Sequence, residues 1–191
     1  MGEKTDLKKF NILFYGKFIP LQGIQYIIKA AKILEKYPDL HFRIVGQGQT
    51  YPEMHKLASD LRVKNVEFIG RIPYEDIPRY IEVADMVLGI FGDTDKTLRV
   101  IPNKVYEAVA MAKPVITGDT PAARELFKDR ENILLCKVAD EQDLSEKIVQ
   151  LRNNGQLLNL IASNGYKVFN EQAKPRVIAQ NLLKALIDEN L

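Results

Sequence analysis

The chain has 191 residues, 46% of them hydrophobic and 27% charged, which is enough apolar content to bury one sizeable core and excludes a disordered segment. Its 27 Lys and Arg against 25 Asp and Glu leave a formal charge of +2, too balanced for the basic footprint of a general nucleic-acid binder. One cysteine, Cys136, excludes an internal disulfide and fits a reducing compartment, and two histidines without a cysteine pair give no zinc pattern.

Along the chain, short β-branched runs alternate with stretches of helical apolar spacing from about residue 10 to residue 152, the rhythm of βαβ units. Phe10 to Tyr15 reads as a strand, and Ile24, Ile27, Ile28, Ala31 and Leu34 form one helical stripe closed before Pro38. His41 to Val45 and Val66 to Ile69 read as strands, each followed by glycine, with a helix over Tyr51 to Leu61 between them. The pattern then predicts a helix over Asp76 to Val83, a strand over Met86 to Ile90, a helix over Lys104 to Met111 and a strand over Pro114 to Thr117. A short helix at Ala122 to Phe127 leads to a strand at Ile133 to Cys136, after which Asp140 caps a helix bearing Leu144, Ile148 and Leu151. Two further helices, Gln156 to Phe169 and Arg176 to Asp188, finish the chain without another strand. The strands are nearly all apolar, as a parallel sheet covered on both faces requires. The expected architecture is one α/β domain over residues 1–191, a doubly wound parallel sheet of about six strands with helices on both faces.

In such a sheet ligands bind beyond the carboxyl ends of the strands, so the loops that follow them hold the candidate site. The first, Gly16 to Gly23, places Gly16 and Lys17 close to a helix N-terminus, where amides, dipole and ammonium converge on a phosphate. It is neither a Walker loop, lacking a closing Gly-Lys-Ser/Thr, nor a dinucleotide fingerprint, whose glycine spacing differs. An ordinary loop with a solvated lysine would have the same sequence. Gly46 and Gly48, in Val45 to Gly48, and the segment Ile69 to Pro73 offer backbone to a ligand, although glycine after a strand is commonly just a turn.

The loop and helix from Asp93 to Val115 carry the most chemistry. Asn103 is the expected N-cap, Lys104 falls in the first turn and Glu107 one turn later. A carboxylate there accepts from vicinal ribose hydroxyls while the helix terminus and Lys104 face phosphate oxygens, a division suited to a nucleoside diphosphate. The blander alternative has Glu107 only complementing the helix dipole. Asp93 and Asp95 form an Asp-x-Asp pair after a strand, but paired carboxylates in a polar loop are usually just solvated, so no metal is expected. His41 inside a strand and His55 on a helix face read as structural.

Five segments in this order, GKFIPLQG, FRIVGQG, VEFIGRIPYEDIPRYIEVADMVL, PNKVYEAVAMAKPVITGD and ENILL, resemble the C-terminal domain of glycosyltransferase family 4, retaining enzymes of the GT-B fold. The resemblance implies a nucleotide diphosphate sugar at the strand ends, with Lys17 on the diphosphate, Ile72 beside the base and Glu107 on the ribose. It implies also an N-terminal acceptor-binding domain separate from this chain, and chemistry without a metal or other cofactor. The sequence departs from the family at two positions: Gln22 stands where a basic residue is common, and Arg99 where the first of two glutamates spaced like Arg99 and Glu107 is common. Arg99 and Lys104 are therefore expected to supply the charge that Gln22 does not, with Lys17, Arg99 and Glu107 as the catalytic set. A module that keeps the fold and senses nucleotide or a partner without catalysis is the alternative, since fold never proves activity. A receiver-like signalling domain is excluded by the lack of an acidic cluster after the first strand. No apolar stretch reaches the roughly 20 residues that cross a bilayer, and the opening MGEKTDLKK is polar. The expected location is the cytoplasm, peripheral at the inner membrane face only through the other domain.

Overall fold

The computed structural model describes residues 9–188, so all but the last residue of the polar opening segment lies outside the described residues. Alternation in the first strand sets the whole architecture. In β1, Phe10–Tyr15, the side chains of Ile12 and Phe14 enter one apolar layer and those of Leu13 and Tyr15 the other, as the two-residue period of a strand demands. All four are at most 5% exposed, so β1 is central.

The remaining strands are β2 (Leu40–Val45), β3 (Val66–Ile69), β4 (Met86–Leu88), β5 (Val115–Gly118) and β6 (Leu134–Cys136). They form one six-stranded sheet of order β3-β2-β1-β4-β5-β6, every neighbouring pair parallel. The expected doubly wound α/β sheet is thus the fold of the chain. The strand expected to run to Ile90 is assigned only to Leu88. Past that point the amides of Phe91 and Gly92 donate to the carbonyls of Gln22 and Leu21, which draws the chain onto the loop after β1.

Helices cover both faces. On the first lie α1 (Ile24–Ile33), α2 (Tyr51–Asp60) and α6 (Glu141–Asn153), contributing Ile27, Ile28, Met54, Leu144, Ile148 and Leu151 to the core. On the second lie α3 (Ile77–Glu82), α4 (Asn103–Ala110) and α5 (Pro121–Leu126), contributing Ile81, Val105, Ala108, Val109 and Ala123. Asp140 caps α6 as expected, its carboxylate accepting from the Asp143 amide at 2.8 Å. α7 (Gly155–Val168) continues through a π-helical turn, Phe169–Ala173, into α8 (Pro175–Asp188). Because β2 and β3 lie on one side of β1 while β4 to β6 lie on the other, the connections diverge at β1 and β4. Their carboxyl ends frame the crevice in which such sheets bind ligands.

Candidate functional site

The floor of that crevice is backbone. Gly16, directly after β1, has φ 146°, and Gly46, directly after β2, has φ 133°. A Cβ on Gly46 would lie 2.0 Å from the Gly16 carbonyl oxygen, so the two strand ends approach as closely as only glycine permits. A Cβ on Gly48 would lie 2.6 Å from the backbone nitrogen of Phe18, also too close for a side chain. Lys17 stands exposed beside this floor.

Beneath Gly16 runs the side chain of Lys104. It comes from the first turn of α4, is 5% exposed, and its Nζ would lie 3.1 Å from a Cβ on Gly16. Nζ donates to Gln22 Oε1 at 2.5 Å, lies 3.5 Å from the Gly89 carbonyl and stands 3.6 Å over the centre of the Phe14 ring. Burial pushes the amine well below the ordinary lysine range, and the charge of Glu107 opposes that shift in part. The arrangement places one buried amine at the position where the loop after β1 carries Gln22, itself 8% exposed.

Glu107, one turn along α4, is held at both carboxylate oxygens. Tyr15, the last residue of β1, donates to Oε2 at 2.7 Å, and Tyr74 donates to Oε1 at 2.8 Å. Ile72, half-buried and packed against the second core layer, precedes Tyr74 in the loop after β3.

Two expectations need correction. Pro102, in extended conformation, is the N-cap of α4, so Asn103 is its first helical residue and its exposed side chain caps nothing. Proline fits that position because its fixed φ already suits the residue entering a helix. Among the described residues the amine bonded to Gln22 is that of Lys104, and Arg99 does not reach it. Arg99 sits exposed on a 3-10 turn, Thr97–Arg99, where its Nε donates to the Asp95 carbonyl at 3.3 Å. Asp93 and Asp95 are both exposed, and no group of three His, Cys, Asp or Glu is placed to hold a metal among the described residues.

Tyr15, Tyr74 and Phe14 were not singled out by sequence. For Tyr15 a signal existed: period two in β1 places it on the face that α4 covers, and a phenol ending a buried strand needs a partner for its hydroxyl. Tyr74 gave none, because a tyrosine in a polar loop is indistinguishable from any exposed aromatic.

A parallel sheet of this order, with a glycine floor and a buried lysine amine at its switch point, defines a Rossmann-like ligand-binding domain. The model of the family "Glycosyl transferases group 1" matches residues 2–168, and the chain belongs to that family. An uncharacterised glycosyltransferase of Methanocaldococcus jannaschii is 26% identical over 160 residues, covering 80% of this chain and 41% of that protein. The C-terminal domain of a group 1 family glycosyltransferase (LpcC) from Francisella tularensis superimposes with a TM-score of 0.75 at 25% identity, covering 87% of each chain. HepE of Anabaena, solved with UDP and glucose, superimposes with a TM-score of 0.82 at 21% identity over 95% of this chain and 49% of that one. The structural neighbours are glycosyltransferases of the GT-B fold. The chain spans less than half the length of the curated relatives it matches, 41% of the protein from M. jannaschii and 49% of a lipopolysaccharide core glycosyltransferase from Rhizobium meliloti.

Proposed function

We propose that the chain is the C-terminal, donor-binding domain of a family 4 retaining glycosyltransferase, which moves a sugar from a nucleotide diphosphate sugar to an acceptor held by a separate N-terminal domain. The observation that carries this reading is the buried Lys104 amine under Gly16 at the sheet's switch point, with Glu107 of the same helix at the rim. In this reading the diphosphate rests on the amides after Gly16 and Gly46 between Lys17 and Lys104. The base lies along Ile72, the ribose hydroxyls donate to Glu107, and the exposed turn bearing Arg99 borders the sugar.

Such a site binds the leaving nucleoside diphosphate with fixed amides and protein cations, which stabilise the negative charge that develops as the glycosidic bond breaks, so no metal is required. Each charged hydrogen bond contributes about 1.5–3 kcal/mol. Lys17→Ala or Lys104→Ala is therefore expected to weaken nucleotide diphosphate affinity by roughly ten- to a hundredfold. Unchanged affinity in calorimetry removes that residue from the site. A thermal-shift screen against UDP-, GDP-, ADP- and dTDP-sugars tests the reading as a whole, because a ligand of the native state raises its apparent stability. No shift with any of them would sink it. The exposed Arg99 and the neutral Gln22 favour the alternative of a noncatalytic nucleotide-sensing module. Sugar transfer by the intact protein decides between the two. The proposed location is cytoplasmic, with any membrane contact made by the other domain; no helix among the described residues is long and apolar enough to cross a membrane.

A further inference from the structure

We infer that Tyr15 is the positioning residue of the site: its hydroxyl fixes the Glu107 carboxylate at the rim with one acceptor position open on each oxygen, the pattern that a vicinal diol of a ribonucleoside diphosphate fits. The inference rests on the donor-site reading and goes beyond it by naming what makes the site select a ribose.

The geometry is specific. Tyr15 Oη lies 2.7 Å from Glu107 Oε2 and 3.2 Å from the Lys104 carbonyl oxygen. A hydroxyl has one proton, and the shorter, charged acceptor takes it. A carboxylate offers about four lone-pair sites, two on each oxygen. Among the described residues Tyr15 occupies one on Oε2 and Tyr74 one on Oε1, which leaves one on each for a pair of adjacent hydroxyls.

The two tyrosines are not equivalent. Tyr15 is 5% exposed and lies in the strand end that also presents Gly16, whereas Tyr74 is 73% exposed on a 3-10 turn. Water competes more for the exposed Tyr74 bond than for the part-buried Tyr15 bond, so the latter does more to hold the carboxylate in one orientation. Burial and the neighbouring carboxylate push the Tyr15 phenol far above its ordinary range, which keeps it a proton donor at any physiological pH.

The test is calorimetric titration of the full chain with UDP, GDP and ADP and with their 2′,3′-dideoxy counterparts, for the wild type, Tyr15→Phe and Tyr74→Phe. Tyr15→Phe keeps the ring in the core and removes only the hydroxyl. The expected result is that the wild type prefers the ribose form, and that Tyr15→Phe loses about tenfold on that form while its affinity for the dideoxy form stays within about twofold. Retained dideoxy binding also reports that the variant is folded. For Tyr74→Phe the change on either form is expected to stay within about threefold, as for other exposed hydrogen bonds. Equal loss by Tyr15→Phe on both forms, or no loss on either, overturns the inference, as does a tenfold loss confined to Tyr74→Phe. A wild type that binds none of the three ribonucleotides fails the donor-site reading itself, and one that binds ribose and dideoxy forms alike fails the placement of Glu107.

Discussion

At the scale of single residues the site turns on Lys104, a group that folding places where its charged form is costly. Because burial lowers its proton affinity, the unfolded chain holds a proton that the folded chain releases. Stability should therefore rise with pH from the lowered folded value up to the unfolded lysine value of about 10.4. Lys104→Met removes that titration, so melting temperatures of the two proteins measured across this window should show a rise in the wild type that the variant lacks; parallel curves would refute the assignment. A bound diphosphate acts in the opposite sense. Its negative charge favours the ammonium, so nucleotide binding should take up a proton and weaken as pH increases, which calorimetry in buffers of different ionisation enthalpy reads directly. Gln22 was visible in the sequence only as a missing charge. That the amine of a helix 82 residues further on donates to it was not, because no local pattern specifies which side chain fills a space between two strands.

At the scale of elements the glycine floor has the least tolerance. Gly46→Ala would force a Cβ to 2.0 Å from the Gly16 carbonyl at a positive φ, and such strain costs of order 1–3 kcal/mol before the clash is counted. The variant should melt several degrees lower and lose nucleotide affinity at once, since both strand ends must part; a change in stability without a change in affinity would detach this floor from the site. Capping makes a milder contrast. Asp140→Ala should cost α6 about 1 kcal/mol in urea unfolding, with nucleotide binding untouched. Five of the six strands and α1 to α5, α7 and α8 could be read in sequence to within about a residue at each end, and α6 at its capped start, because apolar runs of period two and stripes of period 3.6 are properties of the chain itself. β4 fell short of its expected end, and the N-cap of α4 fell on Pro102 instead of Asn103, where long-range hydrogen bonds and proline's own geometry override the local signal.

At the scale of the whole molecule two features lie away from the rim. Where the chain enters β2, Arg152 of α6 donates two hydrogen bonds to Asp39, each 2.7 Å, and stacks over Tyr37 at 4.9 Å. The guanidinium holds the Asp39 carboxyl below the usual range, so this contribution to stability is complete above the unfolded value of about 3.9 and disappears as pH falls through the folded value. Arg152→Ala should accordingly lower the melting temperature at pH 7 and flatten its dependence on pH below about 4; an unchanged acid limb would assign the loss elsewhere. α8, by contrast, exposes Ile178, Leu182 and Leu183 at 54%, 60% and 60%. By itself the sequence determined the class of fold and the loops that face a ligand, since alternation of strand and helix periods leaves a parallel sheet as the arrangement that buries every apolar face. Only the tertiary structure decided that the amine at Gln22 arrives from α4, that Tyr15 and Tyr74 hold Glu107, and that Arg99 stays at the surface. Those relations join residues 80 and more positions apart or depend on how a turn leaves the sheet, and a chain fixes them only when its layers pack.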